Sequence, residues 1–255
     1  MKKTVLTAII ASTVATSTFA QDSINPFADE KSGFYLGIGA GKSSYDAYGD
    51  IEKDSQEELS QVKDYIKSNG GNAHYDIKGS NTSNIGKIFL GYRVNKYLGV
   101  ELDYNQFSNA DYKLNGSGSI KESDISLSGE LNGKVTSKIK GIGIKTIGFY
   151  PVTNNIDLKA SAGIMRWKIK EKHNLNYSGS LNTGDFLASL AGPSESNSES
   201  KSGNSLTLGL GANYNITNNV TVGLQWERIK DVGHKDLAFG ETDIDTYTLS
   251  AQYNF

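Results

Sequence analysis

The sequence predicts an all-β fold: an eight-stranded antiparallel up-and-down transmembrane β-barrel with short periplasmic turns and long extracellular loops. Three observations predict it. Tyr247, Leu249, Ala251, Tyr253 and Phe255 alternate with Thr246, Thr248, Ser250, Gln252 and Asn254, a period-2 pattern carried to Phe255. Seven earlier segments carry the same alternation, each near the ~9–11 residues that a tilted membrane strand needs. Their connections are alternately short and long, which places all turns at one end of an up-and-down barrel and all loops at the other.

The N-terminus fits export. Lys2 and Lys3 precede a mostly apolar run broken by Thr7, Ser12 and Thr13, and Thr18-Phe19-Ala20 supplies small residues at the cleavage positions. Residues 1–20 read as a secretory signal peptide, too short and too polar to span as a helix. Gln21 is the expected mature start, residues 21–32 a short periplasmic segment and residues 33–255 the barrel domain.

Composition agrees. With no cysteine there are no disulfides, thiolate ligands or redox sites. A net charge of -2 on 26 basic and 28 acidic residues leaves no electrostatic footprint for nucleic acid. Glycine, at 28 residues, is too abundant for a helical core. After the leader no apolar run approaches the length of a membrane helix.

The strands follow in order. The first, 33–42, sets Phe34, Leu36, Ile38 and Ala40 against Tyr35, Gly37, Gly39 and Gly41. The second, 83–93, offers Ile88, Leu90 and Tyr92, and the third, 97–107, Leu98, Val100, Leu102 and Tyr104. The fourth, 137–150, offers Ile142, Ile144, Thr146 and Tyr150; the fifth, 156–168, Ile156, Leu158, Ala160, Ala162 and Ile164. The sixth, 204–216, sets Leu206, Leu208, Leu210 and Ala212 against Thr207, Gly209, Gly211 and Asn213. The seventh, 220–229, offers Val220, Val222, Leu224 and Trp226, and the eighth is 245–255. A water-soluble barrel packs bulky apolar groups inside; here the small and charged faces are expected inside. Tyr92, Tyr104, Tyr150, Tyr214, Trp226, Tyr253 and Phe255 fall near strand ends, as interface aromatics do. Unpaired amides cannot face hydrocarbon, so the first strand is expected beside the eighth.

These residues resemble a known family. Leu90-Gly91-Tyr92-Arg93-Val94-Asn95-Lys96-Tyr97-Leu98-Gly99-Val100-Glu101-Leu102-Asp103-Tyr104 resembles the second hairpin of the OmpA-like eight-stranded outer-membrane barrels. Tyr150-Pro151-Val152-Thr153-Asn154-Asn155-Ile156-Asp157-Leu158 resembles their next turn, and Tyr214-Asn215-Ile216-Thr217 with Gln225-Trp226-Glu227 their sixth and seventh strands. Tyr253 and Phe255 are similar to the aromatic-ended signal read by the barrel-assembly machinery. The resemblance implies a monomer in the bacterial outer membrane, in contact with its lipid and lipopolysaccharide, with both termini periplasmic. The best-known members append a peptidoglycan-gripping domain that this sequence is expected to lack, and its loops are long for the family.

Inside so narrow a barrel side chains fill the space. The candidate lumen charges are Lys87, Glu101, Asp103, Lys145, Asp157, Lys159 and Glu227, which must pair or meet water. Glu101 resembles the family's inward acid, and Lys145 has the parity to be its partner. Gly223, Gln225 and Asn213 stand where family members often carry charge. The set reads as a polar plug, with a narrow ion path as the runner-up.

The long connections are 43–82, 108–136, 169–203 and 230–244. Within them Leu59, Val62 and Ile66 give 51–66 a helical spacing. Residues 115–133 alternate as extended hairpin arms, and 191–203 is too polar to be ordered by burial. His74, His173 and His234 share no tight ligand spacing, so neither a metal nor another cofactor is expected. No nucleophile elbow or phosphate loop is present. The expectation is a non-enzymatic outer-membrane protein that supports envelope integrity and presents loops to a host surface or phage. A small-pore porin or channel is the alternative, and an outer-membrane hydrolase a third class.

Overall fold

Turn chemistry sets the strand register. In three short connections one side-chain oxygen caps two backbone amides. Asn95 Oδ1 accepts from Tyr97 (2.8 Å) and Leu98 (2.9 Å). Thr153 Oγ1 accepts from Asn155 (3.2 Å) and Ile156 (3.0 Å), and Thr217 Oγ1 from Asn219 (3.2 Å) and Val220 (3.0 Å). Each turn closes on a backbone bond of the same span: Val94 N–H to Leu98 O, Val152 N–H to Ile156 O and Ile216 N–H to Val220 O. Asn and Thr suit these positions because their side chains bond their own backbone a few residues on.

The computed structural model describes residues 32–192, 194–237 and 240–255; the expected leader and nearly all of the segment 21–32 lie outside the described residues. The elements are β1 (Gly33–Tyr45), α1 (Ala47–Ser68), β2 (Asn72–Gly79), β3 (Thr82–Arg93), β4 (Leu98–Phe107), β5 (Ala110–Glu122), β6 (Ile125–Pro151), β7 (Ile156–Asn182), β8 (Leu187–Ala191), β9 (Glu195–Asn215), β10 (Val220–Gly233) and β11 (Glu241–Asn254). Eight of them follow one another in a near-ring, β1-β3-β4-β6-β7-β9-β10-β11, every pair antiparallel. On the far side β1 lies against β11, with Ile38 opposite Ala251 and Ala40 opposite Leu249. Among the described residues no helix is long and apolar enough to cross a membrane.

The outward face forms an apolar band: Ile38, Ile88, Leu102, Ile144, Leu158, Leu210, Leu224 and Leu249 are all exposed. Glycines on the inward face make room for rings. A Cβ on Gly91 would stand 2.0 Å from the Tyr35 ring, and one on Gly37 2.2 Å from the Phe89 ring.

Along β6, β7 and β10 the faces then exchange character. Lys145, Gly143 and Gly141 point inward in β6, but Ile139 follows them on the same face, while outward Ile144 and Ile142 give way to Lys140 and Lys138. In β7 inward Asp157, Lys159 and Ser161 give way to Met165, Trp167 and Ile169, and outward Leu158 and Ile164 to Arg166, Lys168 and Lys170. In β10 Glu227 gives way to Ile229. Toward the turns each strand is apolar outside; toward the loops it is apolar inside. The expectation of a uniformly small and charged interior is therefore corrected at the loop end, where polar surroundings outside favour apolar groups within.

The long connections are largely structured. β6 and β7 have 27 residues each and pair continuously from Pro151↔Asp157 to Ser126↔Asn182. Beyond the ring, β2, β5, β6, β7 and β8 make a five-stranded arm. One face carries His74, Ser117, Glu130 and Ser178, and the other Tyr75, Leu114, Leu131 and Tyr177. Helix α1 is longer than the expected 51–66 and lies against β2 and β5, with Ile66 Cδ1 3.5 Å from where a Gly118 Cβ would stand. The expectation that 191–203 is unordered is corrected: from Glu195 the chain is β9, paired with β7 from Glu195↔Leu175 onward. Backbone bonding to an existing strand edge orders this serine-rich segment without apolar burial.

Candidate functional site

The interior of the ring is filled in three tiers. Nearest the turns, Arg93 at the end of β3 sends Nη1 to Asp157 Oδ2 at 2.9 Å. Its guanidinium lies 4.0 Å over the Phe149 ring, and Nη2 donates to Lys96 O at 2.7 Å. A planar fork that stacks while bonding in its plane is a use lysine cannot match.

The middle tier is ionic. Lys145 Nζ is 2.6 Å from Asp103 Oδ2 and also pairs with Glu227. Lys87 Nζ is 3.1 Å from Glu101 Oε1 and 3.7 Å from Asp103 Oδ2. Neutral groups support the acids: the Tyr35 hydroxyl donates to Glu101 Oε2 (3.2 Å), Asn105 Nδ2 to Asp103 Oδ1 (2.6 Å) and Gln225 Nε2 to Glu227 Oε2 (3.1 Å). Lys159 is also buried here but makes no ion pair among the described residues. With it, three lysines face three carboxylates, so the tier is neutral in sum. Lys145 and Glu101 are opposite each other in register, yet Lys145 bonds diagonally to Asp103 on the same neighbouring strand and across the interior to Glu227, while Glu101 takes Lys87. The expected Lys145–Glu101 partnership is corrected accordingly.

The loop-end tier is apolar. Tyr45, Ile85, Phe107, Ile139, Met165, Trp167, Ile169, Ile229, Val232 and Ile244 form one buried cluster, with Met165, Ile229, Val232 and Ile244 fully enclosed. Two of its polar groups are paired: Trp167 Nε1 donates to Ser205 Oγ at 2.9 Å, and the Tyr45 hydroxyl and Ser83 Oγ are 2.7 Å apart. Just above, Ser137 Oγ donates to Glu171 Oε1 at 2.8 Å, and His173 Nε2 lies 3.4 Å from Glu171 Oε2.

Of the seven expected lumen charges, five meet in the middle tier as ion pairs, Asp157 stands in the turn-end tier and Lys159 is buried in the middle tier without an ion pair among the described residues. Sequence reasoning passed over Arg93, although counting by two from Phe89 and Gly91 turns it inward. It also passed over the apolar tier. Its signal was present at the inward positions of the strands, where Phe107, Ile139, Met165 and Ile229 are all bulky.

Outside the spanning segments, burial alone would raise the Asp243 carboxyl, but the Asp231 backbone amide (3.0 Å) and Lys230 Nζ (2.9 Å) outweigh it and hold it below the usual carboxylate value. In the arm Asp111 is likewise lowered: Thr136 (2.8 Å) and Lys134 (3.1 Å) outweigh a modest burial penalty. Among the described residues no group of three or more His, Asp or Glu side chains could hold a metal ion. The three histidines are dispersed, His74 in β2, His173 in β7 and His234 in the turn after β10. The chemistry of the interior is thus ion pairing in the middle tier and apolar packing at the loop end.

Residues 29–255 match the family model described as the OmpA-like transmembrane domain. The outer membrane protein A of Serratia marcescens is 24% identical over 168 residues, covering 66% of this chain and 38% of that protein. The outer membrane protein A of Shigella dysenteriae is 25% identical over 255 residues, covering 100% of this chain and 56% of that protein. The chain therefore spans only 38% to 56% of the length of these curated relatives. Among solved structures it is similar to Neisserial surface protein A, at 15% identity and TM-score 0.41, over 88% of this chain and 97% of that one. It is also similar to Ail, the attachment invasion locus protein of Yersinia pestis, at 15% identity and TM-score 0.39, with the same coverage.

Proposed function

Because the chain belongs to the OmpA-like transmembrane domain family, we propose that it is a closed eight-stranded barrel of the bacterial outer membrane, non-enzymatic and sealed, that supports envelope integrity and holds a rigid arm outside the cell for recognition of a host surface or phage. In this reading residues 1–20 are an export leader, 21–32 lie in the periplasm and 33–255 are the barrel. Turns and both termini face the periplasm, and the loops face outward. Tyr253 and Phe255 serve as the signal for the barrel-assembly machinery, and the protein acts as a monomer.

The observation that carries the reading is the exchange of faces along β6 and β7. Apolar residues face out up to Ile142 and Ile164, then face in from Ile139 and Met165. A strand in hydrocarbon needs the first arrangement and a strand in water the second. The 27 residues of each strand are well over twice what the hydrocarbon requires, so much of their length is left for the exterior. The apolar tier above the ion pairs supports a sealed lumen rather than a channel.

Attachment to host cells by bacteria expressing the intact chain, or variants lacking residues 51–66 or 115–133, tests the recognition role. Loss in either deletion is expected; unchanged attachment in both would overturn it. Planar-bilayer recording tests the seal: stable single-channel steps abolished by Glu101→Gln would favour the channel.

A further inference from the structure

Six cations stand together on the outward face of β6 and β7, just beyond the apolar band: Lys138, Lys140, Arg166, Lys168, Lys170 and Lys172. All are exposed, and none makes an ion pair among the described residues. The register sets like charges directly opposite each other, Lys140 against Lys168 and Lys138 against Lys170. Like charges in that position destabilise a sheet unless something anionic stands between them. One carboxylate of a neighbouring strand shares this face, Asp111 of β5, and it is taken up by Thr136 (2.8 Å) and Lys134 (3.1 Å) rather than by the six. Gln106 of β4 flanks Lys140, and Asn204, Ser202, Ser200 and Ser198 of β9 flank Arg166, Lys168, Lys170 and Lys172.

The other side of the ring shows the contrast. Arg228 of β10 binds both carboxylate oxygens of Asp245, and Lys230 Nζ lies 2.9 Å from Asp243. The fold thus neutralises Arg228 and Lys230 internally on β10, and Lys134 on β6, and leaves these six open among the described residues.

Position narrows the partner. Arg166 is opposite Ile142, and the next pair down is Ile144 with Ile164, so the cations begin where the lipid-facing residues end. From Arg166 to Lys172 they climb roughly 20 Å of strand, at ~3.3 Å per residue. That is the level of headgroups on the loop side. We propose that this patch binds the phosphate groups of the phosphorylated glycolipid of the outer leaflet, holding the lipid by its headgroup while its acyl chains lie on the apolar band. Each phosphate placed between facing lysines relieves their repulsion, so binding also ties β6 to β7 where they leave the membrane. The inference rests on the outer-membrane placement proposed above but fails separately from it. Failure to insert into neutral phosphatidylcholine vesicles would count against the placement, whereas the lipid arms below address the patch.

The test uses the full mature chain refolded in neutral detergent, with folding checked by heat-dependent gel mobility. Native mass spectrometry measures its affinity for diphosphorylated lipid A and for dephosphorylated lipid A with the same acyl chains. At least tenfold tighter binding of the phosphorylated form is expected. Together, Lys138→Gln, Lys140→Gln, Lys168→Gln and Lys170→Gln should abolish that preference, and Lys230→Gln should retain it. If the fourfold variant does not fold, Lys140→Gln with Lys168→Gln should lower the preference, and the two lipids on the unaltered chain still decide. Equal affinity for both lipids, or a preference untouched by the lysine variants, would overturn the proposal. So would a patch that ignores the lipid phosphates and captures a sulfated polysaccharide instead.

Discussion

Lys145 and Met165 are both enclosed by the same ring of strands, in adjoining tiers, and they are held by different physics. Lys145 is stable there because Asp103 and Glu227 are each within ion-pair reach. A buried charge that loses its partner costs far more than the pair contributes. Met165 needs only neighbours of suitable shape, which Trp167, Ile229 and the rest of the cluster supply. The ionic tier is therefore all-or-none, while the apolar tier is graded. An interior surrounded by lipid can be polar because the hydrophobic driving force acts on the outside; one surrounded by water must do its own burying.

The largest effect is expected from breaking the ionic tier one-sidedly. Lys145→Met leaves Asp103 and Glu227 facing each other, and urea unfolding from lipid vesicles should register a loss of about 3–5 kcal/mol. Adding Asp103→Asn and Glu227→Gln should recover most of it. If the triple variant is no more stable than the single one, the tier is not held by charge balance.

The apolar tier should respond by degrees. Ile229→Ala is expected to cost about 2–5 kcal/mol and Ile229→Val less, following the volume removed. Equal losses in the same unfolding assay would contradict graded packing. A smaller effect than either is expected of Gly91→Val, which pushes on the Tyr35 ring and so on its bond to Glu101. Overpacking of this kind costs about 1–3 kcal/mol; Tyr35→Ala in the same chain should relieve the clash.

The smallest effect lies outside both tiers and depends on pH. The Asp243 carboxyl is depressed in the folded state, so its contribution is present above the ordinary carboxylate value of 3.8 and is lost as pH falls through the depressed one. Hydrogen exchange at the amides of Asp231 and Asp243, corrected for its intrinsic pH dependence, should quicken in that acid window but not between pH 5 and 7. Asp243→Asn should remove the dependence.

The sequence made the outward band legible because lipid demands the same answer on every strand: Leu102, Ile144 and Leu210 need no knowledge of their neighbours. The charged positions were legible for a related reason, since Lys87, Glu101 and Lys145 stand out at inward parity. Their partners were not. Which acids meet Lys145 depends on a diagonal reach along β4 to Asp103 and a reach across the ring to Glu227, and Glu101, opposite it in register, is not one it binds. The apolar tier was hidden because Ile139 and Met165 read as strand ends when only one face is followed. The order in 195–203 was hidden because it comes from backbone bonds to β7, which serine and glycine permit without announcing.

The three capped turns carry a consequence for how such a chain is built. Asn95, Thr153 and Thr217 each close a loop of a few residues with bonds supplied from within it. Closing so short a loop costs little chain entropy, so β3 with β4, β6 with β7 and β9 with β10 can each zip from the bend outward. Assembly then has three prefabricated hairpins to bring together, and the search over alternative alignments shrinks to the remaining joins between them.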